Sequence, residues 1–350
     1  MRLQIIKERI FVITIKEMAN IIGVSSTTVS NVIHGKTKEV SKETVEKVNE
    51  LLEKYRYVPN MNARNLAKKD SKIIGVVYKY NKNTDNNFIQ DPFASEILGA
   101  IEVQIRKHEY YTMIYLSEEL DDILRFVSSW NVDGLIAVGF WPDDCHIMKK
   151  SIAKPMVFVD SYFNNDGLSY VNVGLKDKEG GYDITKYLIQ CGHKQIAFIT
   201  DCMVSVYGAR YEGYKEALQE AGIPISEHNL LFLKPNHKEF EKSIENVYKR
   251  HQEFSALFCV SDYYAVKIMN YFIDNGVKLP DDISIVGFDD NLIGQTIRPA
   301  LTTMRQNPSQ KGYLAVEQLI KLIHQMEVEE NNIQLTAQLI VRNTVKILNK

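Results

Sequence analysis

Residues 14–33 read Thr14-Ile15-Lys16-Glu17-Met18-Ala19-Asn20-Ile21-Ile22-Gly23-Val24-Ser25-Ser26-Thr27-Thr28-Val29-Ser30-Asn31-Val32-Ile33. Thr14 with Glu17 three residues on is a capping-box start for a helix. Ile15, Met18, Ala19 and Ile22 recur at helical spacing, so one face is buried. Gly23 ends that helix and supplies a turn at positive φ. Ser25 caps a second helix whose apolar stripe is Val29, Val32 and Ile33. Two short helices joined by a short Gly turn form a helix-turn-helix. The outer side of the second helix carries Ser26, Thr27, Thr28, Ser30 and Asn31, short hydrogen-bonding side chains suited to base edges and phosphates. Any two capped amphipathic helices around a glycine look like this, so the flanking segments decide. Ser41 caps a third helix with Val45, Val48, Leu52 and Tyr55 on one face, closing a three-helix core. Pro59 then breaks the chain. Asn60 caps a segment ending at Leu66 and Ala67 that is too short and polar to be stable as a lone helix.

Thr14–Gly23, Val24–Ile33, Val40-Ser41, Tyr57-Val58-Pro59-Asn60 and Ala63-Arg64-Asn65-Leu66-Ala67 together resemble the N-terminal region of the LacI/GalR family of transcriptional regulators. The resemblance continues to about residue 345. It implies a DNA-binding head over 13–59 and a hinge over 60–70 that folds as a helix only on DNA. It also implies DNA contacts from Thr14, Ser25, Ser26, Thr27, Thr28, Ser30, Asn31, Asn60, Ala63 and Arg64. Leu66 matches the family's minor-groove wedge, an apolar side chain that unstacks a base step so that the bent duplex gains contacts. A linker residue packed on the next domain is the other reading of Leu66. The chain departs from the family at Asn31, where well-known members carry an Arg that reads guanine. Asn pairs bidentately with adenine and cannot make that contact. Ser25 and Ser30 suit phosphate or capping better than sequence reading.

The 350 residues allow a small domain plus a larger body. Net charge is -2, but it is unevenly spread: residues 1–72 hold 14 Lys and Arg against 8 Asp and Glu, and the rest is acidic. A basic head on an acidic body suits a DNA-binding module. Cys145, Cys191, Cys202 and Cys259 form no CxxC pair and sit by apolar runs, which suits reduced thiols and a cytoplasmic protein. No run of 18 apolar residues suggests a membrane span. Residues 1–12 carry too many charges for a signal peptide and are either an extra arm or an over-long start.

From Ile73 onwards strand-like and helix-like runs alternate. Strands are expected at 72–78, 110–116, 134–138 and 155–159, with helices at 96–107 and 120–130 between them. The rhythm restarts with helices at 177–190, 210–220 and 262–274 and strands at 195–200, 254–260 and 283–288. A helix at 310–324 and an extended piece at 335–345 follow. This βα alternation implies parallel, doubly wound sheets covered on both faces. The expected fold is therefore an all-α helix-turn-helix head followed by an α/β body, 71–347. The resemblance implies a two-lobed, periplasmic-binding-protein-like body that the chain crosses three times, near Val171, Thr302 and Asn332. Lobe one would hold 71–171 and 303–332, and lobe two 172–302 and 333–347.

Ligands of open parallel sheets bind beyond the carboxyl ends of the strands. Asp160, Ser261-Asp262 and Asp289-Asp290 follow strand runs, and Arg210 opens a helix after one. Carboxylates accept from vicinal hydroxyls, and Arg offers a rigid donor fork. Phe93 and Tyr162, placed in lobe-one loops, could cover the apolar face of a sugar. A plain helix cap is the other reading of an acid or Ser after a strand. It is the better one for Asp262 and stays open for Asp160. The resemblance implies that Arg210 and Asp289 contact an effector. It favours Asn where this chain has Ser261, which weakens an effector role there.

Enzyme signatures are missing: no phosphate loop, GxGxxG after a strand, HExxH or GxSxG. No cofactor or metal site is expected, and His193 reads as a structural histidine. Lys149-Lys150 and Glu329-Glu330 read as solvated charges. The implied function is a sugar-responsive repressor of carbohydrate genes. It would bind a pseudo-palindromic operator as a homodimer and respond to a sugar or sugar phosphate between the lobes. A purine or a phosphoprotein signal acting on the same architecture is the alternative. A sugar-binding protein without a DNA role fits less well, because the head would then have no use.

Overall fold

The computed structural model describes residues 13–57, 71–79, 88–163, 166–234 and 237–348. The chain separates into two units, one ending at Asp70 and one beginning at Ser71. The first contains α1 (Ile15–Ile22), α2 (Ser26–Ile33) and α3 (Lys42–Lys54). Thr14 Oγ1 accepts the Glu17 amide at 3.2 Å, and Glu17 Oε2 accepts the Thr14 amide at 2.7 Å, so the capping box is closed. The Thr14 amide and hydroxyl, both donating to Glu17 Oε2, hold that carboxyl below its ordinary pKa. Gly23 takes φ 73° at the end of α1. Met18, Ala19, Val29 and Val48 are fully enclosed, and Val32 and Ile13 close the small core around them. The proposed hinge with Asn60, Ala63, Arg64 and Leu66 lies outside the described residues, as do residues 1–12.

The second unit is built on two six-stranded sheets. The first sheet is made of β1 (Ile73–Lys79), β2 (Tyr111–Ser117), β3 (Gly134–Val138), β4 (Met156–Val159), β5 (Asn172–Leu175) and β11 (Asn332–Leu335). Its spatial order is β11-β5-β4-β3-β1-β2, and every pair is parallel. The second is made of β6 (Ile196–Thr200), β7 (Leu230–Phe232), β8 (Ala256–Cys259), β9 (Ser284–Asp289), β10 (Thr302–Arg305) and β12 (Gln338–Ile340). Its order is β12-β10-β9-β8-β6-β7, with only β12 antiparallel. Central strands β3, β4 and β8 are buried along their whole length, as continuous apolar runs in parallel sheets must be.

Several expected bounds move. The helix expected from Glu96 is α4 (Pro92–Lys107), because Asp91 caps it and Pro92 supplies its first turn. Phe93 is therefore in a helix and not in a loop. A helix absent from the sequence reading, α6 (Pro142–Ser151), follows α5 (Leu120–Ser129). Its buried side is marked only by Asp144, Cys145 and Met148 in a polar segment. The crossings also shift. β5 pairs with β4 and β11, so the chain leaves the first sheet after Leu175, not near Val171. It leaves the second after Arg305, not at Thr302, and leaves the first again after Leu335, not at Asn332. The extended piece 335–345 is thus split between sheets, with β12 pairing on β10.

Two helices of the second sheet set the site. α7 (Asp177–Gln190) and α8 (Ser205–Glu220) lie in close contact at two glycines. A Cβ at Gly181 would stand 2.2 Å from the Arg210 carbonyl, and one at Gly213 would stand 1.9 Å from the Lys178 carbonyl. No other residue permits this approach, and it brings Arg210 on α8 against Asp177 at the start of α7. The remaining helices are α9 (His237–Lys249), α10 (Asp262–Asp274), α11 (Leu292–Thr296) and α12 (Pro308–Ile323).

Candidate functional site

On α2, Ser25 Oγ accepts the Thr28 amide at 3.0 Å and lies 2.9 Å from the Thr28 hydroxyl. Ser25 and Thr28 therefore hold the helix start, and Thr14 does the same for α1. Ser30 presents its carbonyl to His34. Ser26 and Thr27 are exposed and Asn31 is half-buried. Their side chains, like the half-buried Ser30 hydroxyl, have no hydrogen-bond partner among the described residues, so these are the polar groups of α2 open to an outside partner.

In the second unit a cleft of about 320 Å³ is lined by Phe93 and Glu96 of α4, Asp289 and Asp290, and the crossing segment Arg305–Pro308. That volume is within the range of small-molecule sites. Asp160, directly after β4, and Asp289, the last residue of β9, both take positive φ, 52° and 127°. Lys311 of α12 donates to Asp160 Oδ1 and to Gln306 Oε1, each at 2.6 Å. Gln306 Nε2 in turn donates to Asp289 Oδ1 at 2.6 Å. A carboxylate that only accepts and an ammonium that only donates fix which way the Gln306 amide faces. The Lys311 ammonium also sits 5.2 Å over the Phe93 ring.

Arg210 is buried. Its Nε donates to Asp177 Oδ1 at 2.8 Å, its Nη1 to the Val260 carbonyl at 2.6 Å, and its guanidinium stacks 3.6 Å over Phe288. Burial opposes its charge, but Asp177 and Asp289 outweigh burial and raise its pKa. Burial pushes the Asp177 and Asp289 carboxyls upward, Asp289 well above the usual carboxylate range, while Arg210 pulls both back. The Tyr162 hydroxyl donates to Asp177 Oδ2 at 3.3 Å.

Of the effector residues expected from sequence, Phe93 and Asp289 line the cleft. Asp160 is tied to it through Lys311 and Gln306, whereas Arg210 and Tyr162 meet each other on Asp177 and no hydrogen bond among the described residues ties them to the lining. Ser261 does not: its hydroxyl accepts the Tyr264 amide at 3.4 Å as the cap of α10. Asp262, expected as the cap, is instead the first residue of α10, and its carboxylate accepts from Thr303 Oγ1 at 2.5 Å and the Asn291 amide at 2.9 Å. Sequence reading missed Asp177, Gln306 and Lys311. Asp177 was visible only as the first residue of a helix. Gln306-Asn307-Pro308 reads as a helix start, and a lysine three residues into that helix gives no sign of burial. His193 is a buried histidine with both nitrogens engaged, by Ser255 Oγ and the Lys346 carbonyl, each at 3.0 Å. The four cysteines are unpaired.

A helix-turn-helix with open polar groups on its second helix, in one chain with a two-sheet body holding a charged cleft, defines a ligand-responsive DNA-binding regulator. Residues 14–60 match the family described as bacterial regulatory proteins, lacI family, and residues 185–345 match the periplasmic binding protein-like domain. The chain is 30% identical over 349 residues to the HTH-type transcriptional repressor PurR of Vibrio campbellii (strain ATCC BAA-1116), covering 96% of this chain and 99% of the relative. It is 30% identical over 344 residues to the ribose operon repressor of Haemophilus influenzae, covering 95% and 98%. The Lac repressor dimer bound to operator and the anti-inducer ONPF has the same fold, with TM-score 0.81 at 24% identity over 95% of this chain and 99% of that one. The complex of the transcriptional regulator CelR with cellobiose has TM-score 0.70 at 23% identity, over 95% and 100%. The chain belongs to the LacI family and is a DNA-binding transcriptional repressor with an effector-binding body. No helix among the described residues is long and apolar enough to cross a membrane.

Proposed function

We propose that this repressor controls carbohydrate-utilisation genes in the cytoplasm and that a small sugar in the cleft changes its operator affinity. The observation that carries this reading is the pairing of Asp160 with Asp289 at the strand ends of the two sheets, linked through Lys311 and Gln306. Two carboxylates set to accept from hydroxyls, an Arg held flat on Phe288 and the Phe93 ring are the groups a sugar needs. The ribose operon repressor among the relatives and the cellobiose complex among the structures support the same class.

The head, 13–59, reads one half-site through Ser26, Thr27 and Asn31, while Thr14, Ser25, Thr28 and Ser30 hold helix starts or meet phosphate. The hinge, 60–70, adds Asn60, Ala63, Arg64 and the Leu66 wedge. Two copies of the chain read the two halves of a near-palindrome. Sugar binding draws the strand ends of the two sheets together, and the hinges of the dimer lose their paired arrangement. The coupling amounts to about 1–3 kcal/mol.

A purine effector is the second reading, favoured by the match to PurR along the whole chain. Calorimetric titration of the full chain with ribose, cellobiose and a set of purines separates them. A sugar that binds in the micromolar range and weakens operator binding is the expected result. Purine binding with no response to any sugar would replace this reading.

A further inference from the structure

The cations of the cleft are already engaged by carboxylates. The Lys311 side chain is 1% exposed and holds Asp160. Arg210 holds Asp177. Arg305 Nε and Arg342 Nη2 share Asp290, at 2.6 and 2.5 Å. The acceptors are less committed. Asp160 and Asp289 each use one oxygen, Oδ1, for Lys311 and Gln306. Their second oxygens have no hydrogen-bond partner among the described residues. A carboxylate only accepts, and so does a phosphate dianion or a ligand carboxylate. Surplus acceptors match a ligand that donates.

We infer that the cleft selects an uncharged polyhydroxylated ligand and rejects phosphorylated or carboxylated forms of it, and that Lys311 sets this selectivity by holding Asp160 instead of a ligand anion. The inference rests on the cleft being the effector site. An anion seated against Asp160 would have to take the Lys311 ammonium from it and leave that carboxylate buried without its partner, which is costly, whereas Arg305, half exposed in the cleft lining, offers an anion a place only beside Asp290. A hydroxyl meets no such obstacle, because it donates to the second oxygens while Lys311 and Gln306 stay in place. Lys311 is thus a specificity-determining residue that acts through Asp160. Lys311 stands in the first turn of α12, with its side chain enclosed beside Asp160.

Calorimetry on the full chain tests this with ribose, ribose 5-phosphate and inorganic phosphate as probes. The wild type should bind neither phosphate nor ribose 5-phosphate. Asp160→Asn keeps the side-chain size and frees the ammonium, so phosphate affinity should rise at least about tenfold, the equivalent of about 1.4 kcal/mol. Adding Lys311→Met to that variant should abolish the gain. If Asp160→Asn does not fold, Asp289→Asn lowers the negative charge of the same cleft without breaking an ion pair and should shift phosphate binding the same way. Phosphate or ribose 5-phosphate binding to the wild type that is lost in Lys311→Met overturns the inference, and so does the absence of any gain in the variants. Ribose binding that survives both Asp160→Asn and Asp289→Asn unchanged would instead sink the cleft as effector site, whatever phosphate does.

Discussion

Asp160 and Asp289 are counterparts: one follows a central strand of the first sheet, the other ends a central strand of the second, and both stand at positive φ. Non-glycine residues held there cost about 1–3 kcal/mol each, and such strain gathers at binding sites. Lys311 and Gln306 hold the two side chains in one hydrogen-bonded line. The body therefore keeps two unfavourable backbone conformations, one buried carboxylate and one half-buried carboxylate where a ligand would enter.

Asp289→Gly should show that these features serve binding rather than stability. Glycine relieves the strain at φ 127° and removes a carboxyl that burial disfavours. Gln306 loses a partner, which offsets part of the gain. The net change should lie between neutral and about 1 kcal/mol stabilising, a rise of up to about 2–4 °C in melting temperature for a body of this size. Operator release by effector should be lost in the same variant. A drop in melting temperature would mean that Asp289 is part of the scaffold.

Asp289 also predicts a pH dependence. Burial raises its folded pKa well above the ordinary carboxylate value, while Arg210 and Gln306 pull it back. Its contribution to stability is complete below the ordinary carboxylate pKa and is lost as pH rises through the raised folded value. Hydroxyl groups of an effector donate to the ionised carboxylate and favour it. Effector affinity should therefore increase with pH across that window, with a proton released on binding. Titrations in buffers of different ionisation enthalpy measure the proton directly. Asp289→Asn should remove the release, and a release that persists in that variant assigns it to another group.

Gly181→Ala tests how the scaffold positions Arg210. The added methyl meets the Arg210 carbonyl at 2.2 Å, so α7 and α8 must separate. Arg210 then moves off Asp177, whose side chain is fully enclosed. Disturbing a buried pair of this kind costs about 3–5 kcal/mol. A large fall in melting temperature and weaker effector binding are expected together, though Gly181 does not line the cleft. Unchanged effector affinity would show that the Arg210–Asp177 pair does not shape the site.

The same residues explain how far the sequence could be read. Caps, glycine stops and apolar runs are local signals, so Thr14, Gly23, Ser25 and the central strands were legible. Asp160 and Asp289 were noticed because they stand at the ends of strand runs; Arg210 was noticed through the family resemblance, and it sits inside α8, which begins at Ser205 and not at Arg210 as expected. Lys311, Gln306 and Asp177 were not noticed, because their roles depend on partners distant in the chain: Lys311 meets Asp160 across 151 positions and Arg210 meets Asp177 across 33. The helix Pro142–Ser151 was missed because its polar residues mask a thin buried side, and the crossings were set early because strands of 4 residues carry little pattern. Ser261 shows the opposite failure. A hydroxyl after a strand suits a ligand or a helix, and here the helix has it.

The head separates support from reading in a way that mutation can measure. Ser25 Oγ caps α2, and its replacement by Ala should cost about 1 kcal/mol of helix stability. That loss weakens binding to every sequence alike. Asn31 has no side-chain hydrogen-bond partner among the described residues, and a bidentate contact to adenine is worth about 1–3 kcal/mol of discrimination. Asn31→Ala should therefore relax preference at one base pair of each half-site while leaving the melting temperature of the head unchanged. Selection of bound sequences from a random pool, run on wild type and both variants, reads the two effects separately. Loss of preference at a single position in Asn31→Ala, with Ser25→Ala showing only weaker binding overall, is the expected pattern. An unchanged sequence preference in Asn31→Ala would place Asn31 on phosphate and leave Ser26 and Thr27 as the readers.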